Sequence, residues 1–142
     1  MTHSFDGYND IVRLEPGERL MTNLAQFVRD VQLPGAWLSG LGAASEVTLG
    51  FYELGSKAYK WRTFGRAMEI VSLTGNLAFD EAGELSIHMH GVFADDEYQT
   101  VGGHVKDLTV GVTLELFVHR TYQPLRRRHD ATAGLPLLDL QP

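Results

Sequence analysis

Three of the six histidines lie close enough along the chain to share one task. His88 and His90 stand two residues apart in Ser86-Ile87-His88-Met89-His90. On a β-strand that spacing puts both imidazoles on one face, while Leu85, Ile87 and Met89 point the other way, into a core. His104 follows in Val101-Gly102-Gly103-His104-Val105, beyond an acidic turn at Asp95-Asp96-Glu97. If the two segments pair as a hairpin about Asp96, a register whose residue numbers sum to 192 sets His104 opposite His88, and a sum of 194 sets it opposite His90. Either even sum gathers three imidazoles on one face, with facing Cβ atoms roughly 5 Å apart. A sum of 193 turns His104 to the wrong side, and a bulge at Gly102-Gly103 would shift the register locally.

Three neutral imidazoles on a rigid sheet suit a divalent transition metal. Zinc is the first choice from ligand type, with nickel, copper and iron left open. Three protein ligands leave one position for water, which a metal can activate near neutral pH. The plainer alternative is two solvent-facing strand histidines and an unrelated loop histidine. The preceding hairpin, turning at Glu81-Ala82-Gly83, pairs residue 88 with about residue 76 and brings Thr74-Gly75-Asn76 alongside. Asn76 is therefore a candidate hydrogen-bond partner behind the ligands. Glu115, among Gly111, Thr113 and Phe117 on the less apolar face of the last strand, is a candidate base or fourth ligand; its alternative is an exposed strand glutamate.

The elements that must position these residues follow from periodicity. Ile11, Val12 and Leu14 form a short strand ending at Pro16-Gly17. Leu20, Leu24, Phe27, Val28 and Val31 then recur on one helical face, with Glu18 placed to suit the helix dipole and Leu33-Pro34-Gly35 as the stop. This is the one convincing helix. The remainder reads as strands: Trp37 to Gly42, Val47 to Phe51, Lys57 to Phe64, Met68 to Phe79, Leu85 to Phe93, Tyr98 to Val105 and Thr109 to Val118. In the last, Val110, Val112, Leu114, Leu116 and Val118 share a face. The expected architecture is α+β: a largely antiparallel or mixed sheet of about six to eight strands with one main helix. At 142 residues the chain is sized for a single domain, with a core from about 12 to 118 and a tail from about 122 to 142.

Composition narrows the chemistry. There is no cysteine, so disulfides, thiolate metal sites and cysteine nucleophiles are excluded. Twelve basic against eighteen acidic side chains give a net charge of −6, which opposes broad nucleic-acid binding. No apolar run reaches membrane-helix length, the start lacks a signal-peptide pattern, and the cytoplasm is the default location. Gly40-Leu41-Gly42-Ala43-Ala44-Ser45 begins like a dinucleotide fingerprint, but a strand follows where a helix is needed. Lys57, Lys60, Arg62 and Arg66 interleave with Tyr59, Trp61 and Phe64; a charge-guarded edge strand with buried aromatics is favoured over a nucleic-acid surface. Arg126, Arg127 and Arg128 are the weak nucleic-acid candidates, read more simply as a solvated turn. Leu135, Leu137, Leu138 and Leu140 would dock on the body or on a neighbouring subunit.

Several segments in order resemble the PPC domain (plants-and-prokaryotes conserved domain): Arg13-Leu14-Glu15-Pro16-Gly17-Glu18, Ser39-Gly40-Leu41-Gly42-Ala43, Leu73-Thr74-Gly75-Asn76-Leu77, Ile87-His88-Met89-His90-Gly91-Val92, Gly102-Gly103-His104-Val105 and Val112-Thr113-Leu114-Glu115. The resemblance spans about Val12 to Val118. It implies a homotrimer, and it implies that His88, His90 and His104 match positions at which prokaryotic members hold zinc. The fold is similar to that of acetolactate decarboxylase, which holds zinc through an analogous histidine set; a fold alone supplies no reaction. DNA-binding labels in the family belong with a separate Arg-Gly-Arg-Pro hook, absent here, so DNA stays an open partner that the charge disfavours. The resulting expectation is a trimeric metal-binding domain with no assigned activity. A DNA-associated regulator and a metal-dependent lyase- or hydrolase-like enzyme on a small molecule are the alternatives.

Overall fold

The computed structural model describes residues 1–140. Its elements run β1 (Thr2–Phe5), β2 (Asn9–Leu14), α1 (Leu20–Val31), β3 (Ala36–Glu53), β4 (Ala58–Phe64), β5 (Met68–Phe79), β6 (Leu85–Ala94), β7 (Thr100–Arg120), β8 (Arg126–Asp130) and β9 (Leu135–Asp139). Among the described residues there is one helix beside a sheet of nine strands, more than the six to eight expected. Two of the added strands, β8 and β9, lie in what reads as a tail; the third, β1, precedes the first expected strand. All pairings are antiparallel except a short parallel contact of β5 with β8, at Phe79 and Arg126. No helix of the described residues is long and apolar enough to cross a membrane.

Strands that read as separate pieces are continuous. Trp37 to Gly42 and Val47 to Phe51 both belong to the 18-residue β3, and the last two expected strands are the single 21-residue β7. Register shifts between Gly40 and Gly42, Gly42 and Ala44, and Ala44 and Glu46 explain the break read in β3, and a shift between Thr48 and Leu49, opposite Asp107 and Val105, explains the break read in β7. Each bulge inverts the inside–outside alternation, so the two-residue period breaks while the strand continues. The same irregularity turns Val112 out to solvent although Val110, Leu114, Leu116 and Val118 are buried. With this curvature, β3, β5, β6 and β7 each pair with the next and β7 returns to β3, so the sheet closes on itself.

The helix buries Leu20, Leu24, Phe27 and Val28 against this sheet. It begins at Leu20, and no acidic side chain lies in its first turn; Glu18 instead accepts from the Glu15 amide (2.8 Å). The start is capped from a distance: Asp107 on β7 accepts from the Met21 amide (3.1 Å) and from the Arg19 guanidinium. At the other end Gln32 takes the left-handed conformation (φ 52°), and Pro34 prevents continuation.

Candidate metal centre

The histidine-bearing strands are fixed by the pairings beneath them. In β6, Met89 is fully buried, so its neighbours His88 and His90 project from the opposite face. β6 and β7 pair with His90 opposite His104, the 194 register. β5 and β6 pair with Asn76 opposite His88 and Thr74 opposite His90. Gly75 lies between these pairs, where a Cβ would meet the His88 carbonyl oxygen at 2.3 Å, so only glycine lets the two strands approach this closely.

The three rings meet in pairs, with centroids 5.1 to 5.5 Å apart. One ligand nitrogen from each falls within a mutual 4.8 Å, and His88 Nε2 and His90 Nε2 are 3.2 Å apart. Two nitrogens on a tetrahedral zinc, at about 2.0–2.1 Å each, lie about 3.3–3.4 Å from one another. The observed spacing fits that requirement. His104 Nδ1 is buried without a hydrogen-bond partner, a cost that coordination chemistry would remove.

Electrostatics keep these rings available as ligands. Burial, then the Arg127 charge and the neighbouring histidines, lowers His88 from its ordinary value to about 4. Burial also lowers His104, with His90 and Arg127 adding to it. Both imidazoles therefore stay neutral at ordinary pH, the state a metal needs. Tyr59 lies against His104 (centroids 4.9 Å) and stacks on Trp61 (4.6 Å), closing one side of the site.

The C-terminal hairpin supplies a residue that sequence reasoning placed elsewhere. β8 and β9 pair across a turn ending at Gly134, and Arg127, between the outward Arg126 and Arg128, points inward. It is 5% exposed. Its Nη2 donates to Asn76 Oδ1 (2.6 Å) and faces His88 Nδ1 (3.3 Å), and its Nη1 donates to the Pro136 carbonyl (2.8 Å). Asn76 thus reaches His88 through Arg127. The reading of Arg126, Arg127 and Arg128 as one solvated cationic turn is corrected: Arg127 is buried, and Arg128 pairs with Asp139 (2.7 Å). The available signal was the hairpin pattern of a charged run, a Gly turn and a leucine run, whose alternation sends one arginine inward.

Other candidates lie apart from the cluster. Glu115 is exposed, opposite Arg13 and Leu41, and eleven residues beyond His104 on β7. At about 3.3 Å per residue that is roughly 36 Å of strand, so it neither completes the cluster nor serves it as a base. β4 is an edge strand paired with β3, but its aromatics are not fully buried: Trp61 stays partly exposed beside Gly50.

The Plants and Prokaryotes Conserved (PCC) domain model matches residues 4–121. No curated protein matches the chain. Among solved structures, a provisionally named DNA-binding protein from Ralstonia eutropha is 35% identical, covering 98% of this chain and 96% of its own, with a TM-score of 0.91. A metal-containing protein from Archaeoglobus fulgidus is 24% identical over 97% of this chain and 98% of its own (TM-score 0.84). The fold extends to α-acetolactate decarboxylase from Bacillus subtilis, 13% identical over 87% of this chain and 57% of its own (TM-score 0.57).

Proposed function

Because the chain belongs to the Plants and Prokaryotes Conserved domain family, we propose that it is a metal-binding member in which His88, His90 and His104 hold one divalent transition metal. Donor type favours zinc. The observation that carries this reading is the convergence of three ring nitrogens within 4.8 Å on paired strands. Metal analysis of untagged protein tests it: wild type should carry about one equivalent, and the triple His→Ala variant none. Wild type with no more zinc than that variant overturns it.

Assembly as a homotrimer is the second part of the proposal. Trp37 and Leu41 on β3 and Phe117 on β7 are exposed on one face of paired strands. Apolar side chains gathered this way favour cover by another copy. Light scattering on the eluting protein should give three times the 15.8 kDa chain mass; a monomer mass at micromolar concentration overturns the assembly.

Two readings of the role follow. A metal-dependent lyase- or hydrolase-like reaction on a small molecule is supported by a cavity of about 250 Å³ beside His88 and His104. Turnover that the triple variant loses would establish it. A DNA-associated role is favoured by the name of the Ralstonia eutropha relative. It is opposed by the net charge of −6, by the burial of Arg127 and by the pairing of the exposed Arg128 with Asp139. Fluorescence anisotropy with duplex DNA decides it, and no binding at low salt excludes it.

A further inference from the structure

We infer that the cavity beside the histidines is an anion subsite, and that it takes a small carboxylate with a short apolar tail held by Arg127. The inference rests on the metal reading above and names the ligand class of that same site.

The first observation is an uncompensated charge. Arg127 is 95% buried, and no carboxylate of the described residues pairs with its guanidinium. Its neighbours are neutral: the Asn76 amide oxygen, the Pro136 carbonyl and His88 Nδ1. Its Nε is buried with no partner at all. A buried cation without a counter-charge is costly unless an anion completes it. The cavity wall, which Arg127 shares with Tyr59, His88, His104, Leu135 and Leu137, contains no acidic side chain. A divalent metal on the histidines would add two positive charges to the one on Arg127, and the protein supplies no negative charge to balance them.

The second observation concerns proton placement. Arginine can only donate, so the contact with Arg127 Nη2 requires a lone pair on His88 Nδ1. Neutral His88 then carries its proton on Nε2, directed at His90 Nε2 3.2 Å away. When His88 offers Nε2 to a metal, its proton must sit on Nδ1, and two donors then face each other. Arg127 must withdraw that donor from His88. The released N–H and the unpartnered Nε become available together, and an arginine edge of this kind matches a carboxylate.

Shape selects the class. About 250 Å³ is below the roughly 300 Å³ at which drug-sized sites begin, which points to a small ligand. Ile87, Leu135, Pro136 and Leu137 supply apolar lining to the same cavity, so a short alkyl tail is accommodated. The rest of the cavity wall is largely apolar and offers few donors to the further oxygens of a phosphate.

The test uses cobalt(II) as a visible probe of the histidine site, with butyrate as the anion. Butyrate should change the cobalt absorption spectrum and saturate at millimolar concentration or below. Butyramide, the same shape without the charge, should bind at least tenfold more weakly. Arg127→Gln should still bind cobalt but weaken butyrate at least tenfold, and Arg127→Lys should fall between. Inorganic phosphate should compete poorly. Cobalt bound normally with no spectral response to butyrate, or with equal responses to butyrate and butyramide, overturns the anion site and leaves the metal reading standing. Cobalt that does not bind wild type overturns both. The butyrate–butyramide comparison needs only wild-type protein, so it decides the matter even if the variants misfold.

Discussion

Alanine at Gly75 tests whether the strand pairing under the histidines is as close as the site requires. Gly75 faces Met89 between the Asn76–His88 and Thr74–His90 pairs. A Cβ there would lie 2.3 Å from the His88 carbonyl oxygen and 2.9 Å from the Met89 Cα, where ordinary contact begins at 3.4 Å. Beside the Met89 Cγ at 2.6 Å, these two obstacles are backbone atoms that no side-chain rotation relieves, so β5 and β6 must part by about 1 Å. Overpacking of this kind costs about 1–3 kcal/mol. One or two weakened ladder hydrogen bonds add about 1 kcal/mol. We expect G75A to lose about 3 kcal/mol in urea unfolding without metal, a large share of the roughly 5–15 kcal/mol that domains possess. The same displacement carries His88, so zinc affinity, read by competition with a chromophoric chelator, should fall about tenfold or more. Gly65→Ala is the control: nothing lies within 4 Å of its Cβ, and its stability should stay within about 0.5 kcal/mol of wild type. G75A within that same margin would refute the close approach. G75A that is destabilised yet binds zinc as wild type does would show that the site does not depend on it.

Three further outcomes follow. His88 is lowered to about 4 chiefly by burial, whereas the unfolded chain titrates near 6.5. Its contribution to metal-free stability is therefore full above pH 6.5 and is lost as pH falls toward 4; denaturation at pH 7 and pH 5 should cost wild type more than His88→Gln, and equal losses contradict this. Asp107→Ala removes the distant cap on the Met21 amide and should cost about 1–2 kcal/mol in urea unfolding, while an unchanged midpoint would show that the helix start needs no cap. Gln32→Gly relieves a left-handed backbone (φ 52°) and should gain about 0.5 kcal/mol after the entropy of glycine is subtracted; a loss of stability would refute strain at that position.

The parts of the molecule legible in the sequence are those governed by one local period. The helix face from Leu20 to Val28 and the opposed faces of β6 need only a repeat and a side. The hairpin sum for His104 could be confined to 192, 193 or 194 because the turn near Asp96 is short, and backbone pairing selects 194. β3 and β7 were not legible as whole strands, because their bulges at Gly40, Gly42 and Ala44 reverse the alternation partway along. Nor could periodicity reveal that β7 returns to β3 and closes the sheet. The sequence offers Glu18 to the dipole at the start of α1, whereas Asp107 caps that end from a strand 86 residues away from Met21. Local rules name the chemistry a helix start needs, but not which residue the fold delivers.

Arg127 shows the same limit at the site itself, and there it changes the functional argument. Read along the chain, Arg126, Arg127 and Arg128 are one cationic run, and a run of charge belongs in water or against phosphate. Folded as a strand, the run divides: alternate residues face opposite ways, and only the middle one turns toward Asn76 and His88. What decided its fate is the partner strand β9, whose Leu135, Pro136 and Leu137 line the cavity beside it and whose Pro136 carbonyl accepts from its guanidinium. The positive charge that seemed to recommend a nucleic acid is thereby moved beside the histidines. There it adds to burial in lowering His88 and leaves a buried cation with no acidic partner. A polyanion outside the protein cannot reach a guanidinium that is 5% exposed. A small anion inside the cavity can, so the residue that first suggested DNA argues for a small-molecule ligand.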